Sequence, residues 1–459
     1  TLLGTARSVI DDVPPWLDHT FASVDVEGEG VVINDGSVFI GVGWGLGGDG
    51  GLHVAADESA GTPMQTGFFG NLGVNWELMT SAFPDYRSLM VRVNGFSPVD
   101  GEWEQVVGSF FGGGNGFGDT GNAGAPAMTS FQGGLYVGTS NQDGAEVRYA
   151  VDGHNWMPAN DPGFGSALNL AVSNLISFNG HLYASTLNST NGTEVFRMTV
   201  PSSWTSAAAG GFGDPSNTSA PSAAVFEGQL YLGTDNAGGC EIWRTAGGLV
   251  WTHVHTNGFG NPQNTVAESM AIFGGELHVG TRNTDGAELW RSPDGVVWFP
   301  VITGGFGSAS NVAVSDLVFF DNALYAGISN TVTGAQVWRS FDGATWEQVA
   351  EAGFGDPRNT EFNSFGTGDL GLHAAVSGAF HPGAIWRSPH GAVWSVSSSP
   401  GFTDSDNEAV ESLHFWGDRV YAGTSNPESG CEIWRGGRHR LFGDGFESGD
   451  TSGWGAVAP

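Results

Sequence analysis

The phrase GTRNTDGAELWRSPDGVVW at 280–298 recurs along this chain at a fixed step, and that step limits the fold more than any other feature. Close copies stand at 138–156, 185–204, 233–251, 327–346 and 375–394, with a shortened one at 423–437. The closing tryptophans Trp156, Trp204, Trp251, Trp298, Trp346 and Trp394 are spaced by 48, 47, 47, 48 and 48 residues. A Gly-Phe pair keeps the same step, starting at Gly116, Gly163, Gly211, Gly258, Gly305, Gly353 and Gly401. A period in this range belongs to solenoids, propellers or arrays.

Residues 265–305 show what one repeat folds into. SMAIF (269–273) is a short apolar run, and Gly274-Gly275 supplies a two-residue turn. ELHVGT (276–281), a loop over 283–286, the alternating AELWRS (287–292), a turn at Pro293-Asp294-Gly295 and VVWFPVI (296–302) complete it. Four short strands per repeat, without helical apolar spacing, predict an all-β chain and a β-propeller; a β-helix, with its shorter coils, is the runner-up. The second strands centre on Val38, Leu135, Leu182, Leu230, Leu277, Leu324, Leu372 and Val420, which predicts eight four-stranded blades, with seven as the alternative. The last repeat stops near Arg435, short of its fourth strand. The stretch around Trp16 is the expected supplier, so that the N-terminus closes the ring and hides two sheet edges. The propeller is thus expected to span 1–437 as a single domain. Residues 1–30 form the closing strand and lead-in, 45–84 an insert in blade one, and 438–459 a tail.

Fifteen arginines, no lysine and 48 acidic residues leave a net charge of −33. Such a charge repels nucleic acid and anionic membrane surfaces, and it fits a salt-tolerant extracellular protein or one that collects cations. Without lysine there is no Schiff-base chemistry and no phosphate-binding Walker lysine. Two cysteines cannot make a four-thiolate zinc site. Cys240 and Cys431 hold the same repeat position half a ring apart, which argues against a disulfide between them. No apolar run reaches transmembrane length, so membrane insertion is not expected. A start at Thr1 without a signal peptide is expected of a processed, secreted form, and a monomer is expected.

The turns Ser292-Pro293-Asp294-Gly295 before Trp298 and Ser340-Phe341-Asp342-Gly343 before Trp346 resemble the Asp-box of sialidase-type propellers, Ser-x-Asp-x-Gly-x-Thr-Trp, one residue shortened and with the threonine kept only as Thr345. The resemblance covers the turn, not a catalytic centre. It implies a folding role, in which the carboxylate takes backbone donors and the tryptophan packs between strands. The tail FGDGFESGDTSGW (442–454) resembles a C-terminal segment of exported bacterial proteins. As an architecture the whole resembles lectin-like bacterial and fungal propellers.

Residues present in nearly every blade are read as structural: Glu146, Glu194, Glu241, Glu288 and Glu432 of the third strand, and the loops with Asp119/Asn122, Asp214/Asn217 and Asp356/Asn359. Calcium in those loops is the one cofactor they raise, although EF-type spacing is absent. Function is sought where repeats differ. Near the start of the first strand stand Glu29, Ser173/Asn174, Glu268, Asp316, Asn363 and Glu411. The insert brings aromatics and acids to the same loop-rich face. The expected ligand-binding set is Trp44, His53, Glu58, Glu268, Asp316, Asn363 and Glu411. Blade seven also departs from the pattern, with Gly378, Ala384, His373, His381 and His390. The predicted function is an extracellular propeller that binds a glycan or a partner surface; the alternative is a lyase or glycosidase on polysaccharide. For an enzyme the candidates are His53, Tyr86, Glu268, Asp316, His373 and Glu411. No spacing assigns a metal.

Overall fold

The computed structural model describes residues 103–108, 114–379 and 381–437 in full and, before them, the backbone of six short strands between Ala22 and Leu78. The chain divides into two compact units, Thr1–Ser97 and Pro98–Pro459. In the first, Ala22–Val24 pairs antiparallel with Val31–Ile33. Phe39–Val42, Gly51–Ala55, Phe68–Asn71 and Val74–Leu78 form a separate four-stranded antiparallel sheet. The stretch 45–84, expected as a loop-like insert in a blade, therefore holds three strands of a sheet in its own compact unit. The single domain over 1–437 and an eighth blade built on Val38 stay expectations, since around Val38 only strand backbone is described.

In the second unit the described residues hold antiparallel strands and short 3-10 turns, and no α-helix. The repeat of residues 266–302 shows why. Val266–Phe273 pairs with Glu276–Arg282 across Gly274-Gly275, both at positive φ, which a two-residue hairpin turn requires. Leu289–Ser292 and Phe299–Ile302 follow in antiparallel order. The second strand is buried at five successive positions, Leu277 to Thr281, because neighbouring repeats cover both its faces. Seven such four-stranded groups stand among the described residues, called units one to seven below. Their first strands are Gly124–Phe131, Ala171–Phe178, Ser219–Phe226, Val266–Phe273, Asn311–Phe320, Glu361–Gly368 and Ala409–Trp416. Each lies beside the next, and the seventh lies beside the first. The arrangement is that of a β-propeller. Ladder bonds join units seven, one and two into one sheet and three, four and five into another, while unit six stands alone. Apolar side chains from adjacent units fill the wedges between them, as where Tyr231 and Ile242 of unit three meet Ala267, Leu277 and Val279 of unit four.

Unit seven is completed by Trp103–Val107, which pairs with Ile433–Gly437 in the register Trp434↔Gln105 and Arg435↔Glu104. Trp103 stands edge-on to Phe402 at 5.3 Å, and its indole N–H donates to the Ser397 carbonyl at 2.7 Å. Trp204 and Trp251 make the same bond to Ala159 and Ala207. This corrects the expectation that the stretch around Trp16, which lies outside the described residues, supplies that strand. The spacing conceals Trp103, because it precedes Trp156 by 53 residues rather than 47 or 48.

Candidate functional site

Every first strand shifts register near its start, and the residue at or within that bulge is Pro126, Ser173, Pro221, Glu268, Ser315, Asn363 or Glu411 in units one to seven. A bulge leaves one residue outside the ladder and re-aims its side chain. Repeats that agree almost everywhere else disagree here. One residue further on, in units two to seven, the side chains bind each unit to the next. The hydroxyls of Ser222, Ser269 and Ser412 donate to the carbonyls of Ala267, Val314 and Ala125 at 2.6–2.7 Å. Asn174 donates to Pro221, and Ser364 accepts from the Leu413 N–H. Asp316 occupies this linking position. Its carboxylate accepts the Phe365 N–H at 2.7 Å and the Leu317 N–H at 2.8 Å. Burial outweighs both bonds and raises it to about 6. Sequence reading grouped Asp316 with Glu268 and Glu411, whereas the register sets it one residue apart from them.

Glu268 is held by Arg282, at the end of the second strand of unit four, through bonds of 2.5 and 3.3 Å. Asp235 occupies the same repeat position in unit three. Burial first, then the charge of Glu268, push its carboxyl up, and Arg282 offsets part of this. Arg282 also feels Glu361 at the start of the first strand of unit six. Ser315 and Asn363 instead bond the neutral Ser329 and Ser377 hydroxyls at 2.8 and 2.9 Å. Glu411 is different again. Burial raises it to about 7, with the Ala125 N–H as the only opposing influence. Its Oε2 is sealed from solvent and has no hydrogen-bond partner. The carboxyl lies over Gly124, where a Cβ would fall 2.6 Å from that oxygen and 2.5 Å from Ser140 Oγ. The six residues equivalent to Gly124 all carry a Cβ: Ala171, Ser219, Val266, Ala313, Glu361 and Ala409.

The structure therefore brings Glu268, Asn363 and Glu411 to the same level of the first strands and adds Asp235, Arg282 and Glu361, which the sequence reading missed. Their signal was the one already used, a change of residue type at a fixed repeat position, applied to two further positions. His373 is placed elsewhere. It occupies a second-strand position that is tyrosine in five other units, packs 5.3 Å from Phe415, and is driven down to about 4 by burial. His53 lies in the strand Gly51–Ala55 of the Thr1–Ser97 unit, where only its backbone is described. Trp44, Glu58 and Tyr86 lie outside the described residues.

The recurring carboxylates act as hubs of the fold. Glu288 accepts from Asn264 Nδ2 at 2.7 Å, Asn261 Nδ2 at 3.0 Å and the Trp290 indole at 2.9 Å. Glu241 and Glu432 make the same kind of bridge, and Gln336 replaces the charge in unit five. In unit six, where Ala384 stands at that position, the His381 ring lies 2.8 Å from Asn359 Oδ1. Asp294 accepts the Val296 and Val297 N–H groups, and Asp342 those of Ala344 and Thr345. The loop Asp119 accepts from Gly121 N–H and Asn141 Nδ2. Among the described residues no group of three or more His, Cys, Asp or Glu side chains converges as a metal site would.

No protein-family model matches this sequence, and no curated protein matches it. Among solved structures the chain is similar to YCF48 from Cyanidioschyzon merolae, with 14% identity and a TM-score of 0.48 over 73% of this chain and 99% of that one. It is also similar to an α-L-arabinofuranosidase from Clostridium thermocellum, with 16% identity and a TM-score of 0.33 over 50% and 94%. Raptor from Chaetomium thermophilum gives 10% identity and a TM-score of 0.46 over 68% and 28%. At these identities and scores none of the three bears on the chemistry of this chain.

Proposed function

We propose that units one to seven close into a seven-bladed ring sealed by Trp103–Val107, and that this ring is a secreted binding module for a glycan or a partner surface. The ligand sits at the loop end of the first strands. One observation carries the reading: the bulge positions diverge into Pro126, Ser173, Pro221, Glu268, Ser315, Asn363 and Glu411, while the hubs around them repeat. An ideal ring offers equivalent surfaces with no reason to prefer one, so a ligand is read where equivalence breaks. The mixture of carboxylates, one guanidinium, hydroxyls and an amide suits hydroxyl-rich ligands, which need both donors and acceptors. A glycan array probed with the parent protein and with Asn363→Ala tests this. Selective binding that the substitution weakens supports it; no binding to any glycan, or identical profiles, overturns the glycan site.

The second reading, an enzyme on polysaccharide, has one observation in its favour. Glu411, raised to about 7, is able to carry a proton to a leaving group at neutral pH. Release of reducing ends from acidic or neutral polysaccharides, lost in Glu411→Gln, would establish it.

A further inference from the structure

The strands of each unit run antiparallel, so the turn after the first strand and the turn after the third lie at one end, opposite the loop end described above. Exposed large apolar side chains are most numerous there in units three to five, as at Val250 and Val297. Unit five departs furthest from its neighbours. Phe319, one residue before the end of its first strand, stands where the other units carry Ser, Val, Ile, Thr or, in unit seven, the half-buried Phe415. Phe341, which opens the turn after the third strand, stands where they carry Val, Thr, Ala, Pro or Gly. Both rings face solvent, at 53% and 61% exposure. They meet beside unit four. Phe319 lies 6.0 Å from the Phe273 ring, and a Cβ on Gly343, two residues beyond Phe341, would fall 3.4 Å from that same ring. The Arg339 guanidinium lies over Phe341 at 4.7 Å and donates to Glu347 at 2.5 Å.

Neighbouring exposed rings, one of them under an arginine, have the composition of an interface centre rather than of free surface. We propose that Phe319 and Phe341, with Phe273 between them, anchor a second protein through a segment that carries apolar side chains interspersed with lysine or arginine. The surface stands apart from the loop end, and its occupant is independent of the ligand read there. Charge decides the class of partner. Asp342 follows Phe341 directly, and Asp321 follows Phe319 by two residues, both at exposed positions. The Thr345 and Ala344 N–H groups, with the Thr345 and Ser340 hydroxyls, hold the Asp342 carboxyl below the usual carboxylate range, so it stays charged. Beside Asp321 stands the His390 ring of unit six at 3.8 Å, while Arg339 is already paired with Glu347. The rings thus sit among negative charges, which lysine or arginine beside the partner's apolar anchors complements. A second copy of this chain would bring another charge of −33. A glycan would need free donors and acceptors, whereas the Arg339 and Asp342 side chains are committed.

The test is fluorescence anisotropy of the full chain at physiological salt with three labelled peptides of equal length. One alternates leucine with lysine, the second replaces lysine by glutamate, and the third replaces leucine by serine. The leucine–lysine peptide should bind, and each counterpart should bind about tenfold or more weakly. Phe319→Ser and Phe341→Thr place at these exposed positions the residues that unit two carries there, Ser177 and Thr199, so each variant should fold. Each should weaken the leucine–lysine peptide about tenfold. Asp321→Asn should weaken it less and flatten its dependence on salt. Val151→Thr, at the exposed equivalent of Phe341 in unit one, should change nothing. Equal losses in Val151→Thr and Phe341→Thr, or equal binding of the serine peptide, would reduce the effect to general attraction by a polyanion and overturn the proposal. Equal binding of the glutamate peptide, or no binding of any peptide, would overturn it as well. A dimer in sedimentation velocity that Phe319→Ser abolishes would overturn it in favour of a second copy of the chain.

Discussion

At the scale of single residues, the two sets of carboxylates should separate in experiment. Glu288→Ala takes an acceptor from each of Asn264, Asn261 and Trp290 and should cost about 2–3 kcal/mol in denaturant unfolding. Glu411→Gln should do the opposite. The Glu411 carboxyl keeps in the folded chain a proton that it would release on unfolding, because its value rises from 4.5 to about 7. Its contribution to stability is therefore full below pH 4.5 and is lost as pH rises towards 7. The glutamine variant should match the parent at pH 4 and exceed it at pH 8 by on the order of 1–3 kcal/mol. Buried histidine carries the reverse sign. Burial lowers His278, whose contribution is present above the unfolded value of 6.5 and is lost as pH falls below it. His278→Tyr restores the residue that meets the turn glycine in other units, as Tyr231 meets Gly295. The variant should gain melting temperature relative to the parent at pH 5 more than at pH 8. The structural role of Glu288 was legible in the sequence because the residue recurs. The mismatch of Glu411 was not, because its neighbours Gly124 and Ser140 lie nearly the whole repeat array away.

At the scale of the element, the Gly-Phe loop is the device that each repeat reuses. Phe117, Phe164, Phe212, Phe259, Phe306, Phe354 and Phe402 all adopt positive φ, a conformation that disfavours any residue with a Cβ. Packing holds them there. Phe259 stacks on Trp290 at 5.1 Å and stands edge-on to Trp298 at 5.3 Å, and the same triangle recurs at Phe212, Phe354 and Phe402. Phe259→Ala keeps the strained backbone and loses the rings' contact, so it should cost about 3–5 kcal/mol. Phe259→Gly loses the same contact but relaxes the backbone, and should be milder by about 1 kcal/mol. Equal losses would show that the left-handed turn stores no strain. The sequence marked these phenylalanines by their fixed step. It gave no sign of the left-handed backbone, which is held by two tryptophans, one on the third strand and one beside or on the fourth.

At the scale of the whole molecule, two expectations concern closure and charge. A chain beginning at residue 98 should keep a cooperative melt, whereas one beginning at residue 110 loses Trp103–Val107 and should melt markedly lower, with unit seven exposed along Ile433–Gly437. Equal midpoints would refute closure by that strand. A net charge of −33 should make the midpoint climb with sodium chloride, as screening relieves self-repulsion. Millimolar calcium at matched ionic strength should add nothing further, because the loop carboxylates are already committed to backbone and amide donors, as Asp119 and Asp214 show. A larger rise with calcium would establish sites that this accounting misses.

The sequence alone determined the repeat, its four antiparallel strands and their turns, because these depend on neighbours within a few residues and recur often enough to stand out. It also separated residues that every repeat needs from residues that differ, which is how Glu268, Asn363 and Glu411 came to notice. Tertiary structure decided which strand completes unit seven. That pairing joins Trp434 to Gln105 across most of the chain, and an irregular stretch ahead of Trp156 breaks the step that would have marked Trp103. It also decided the roles of the acids. A bulge shifts register by one residue, and that single shift sends Asp316 to a backbone link and Glu411 to a buried oxygen without a donor. Periodicity fixes what repeats; contact across the fold fixes what each exception does.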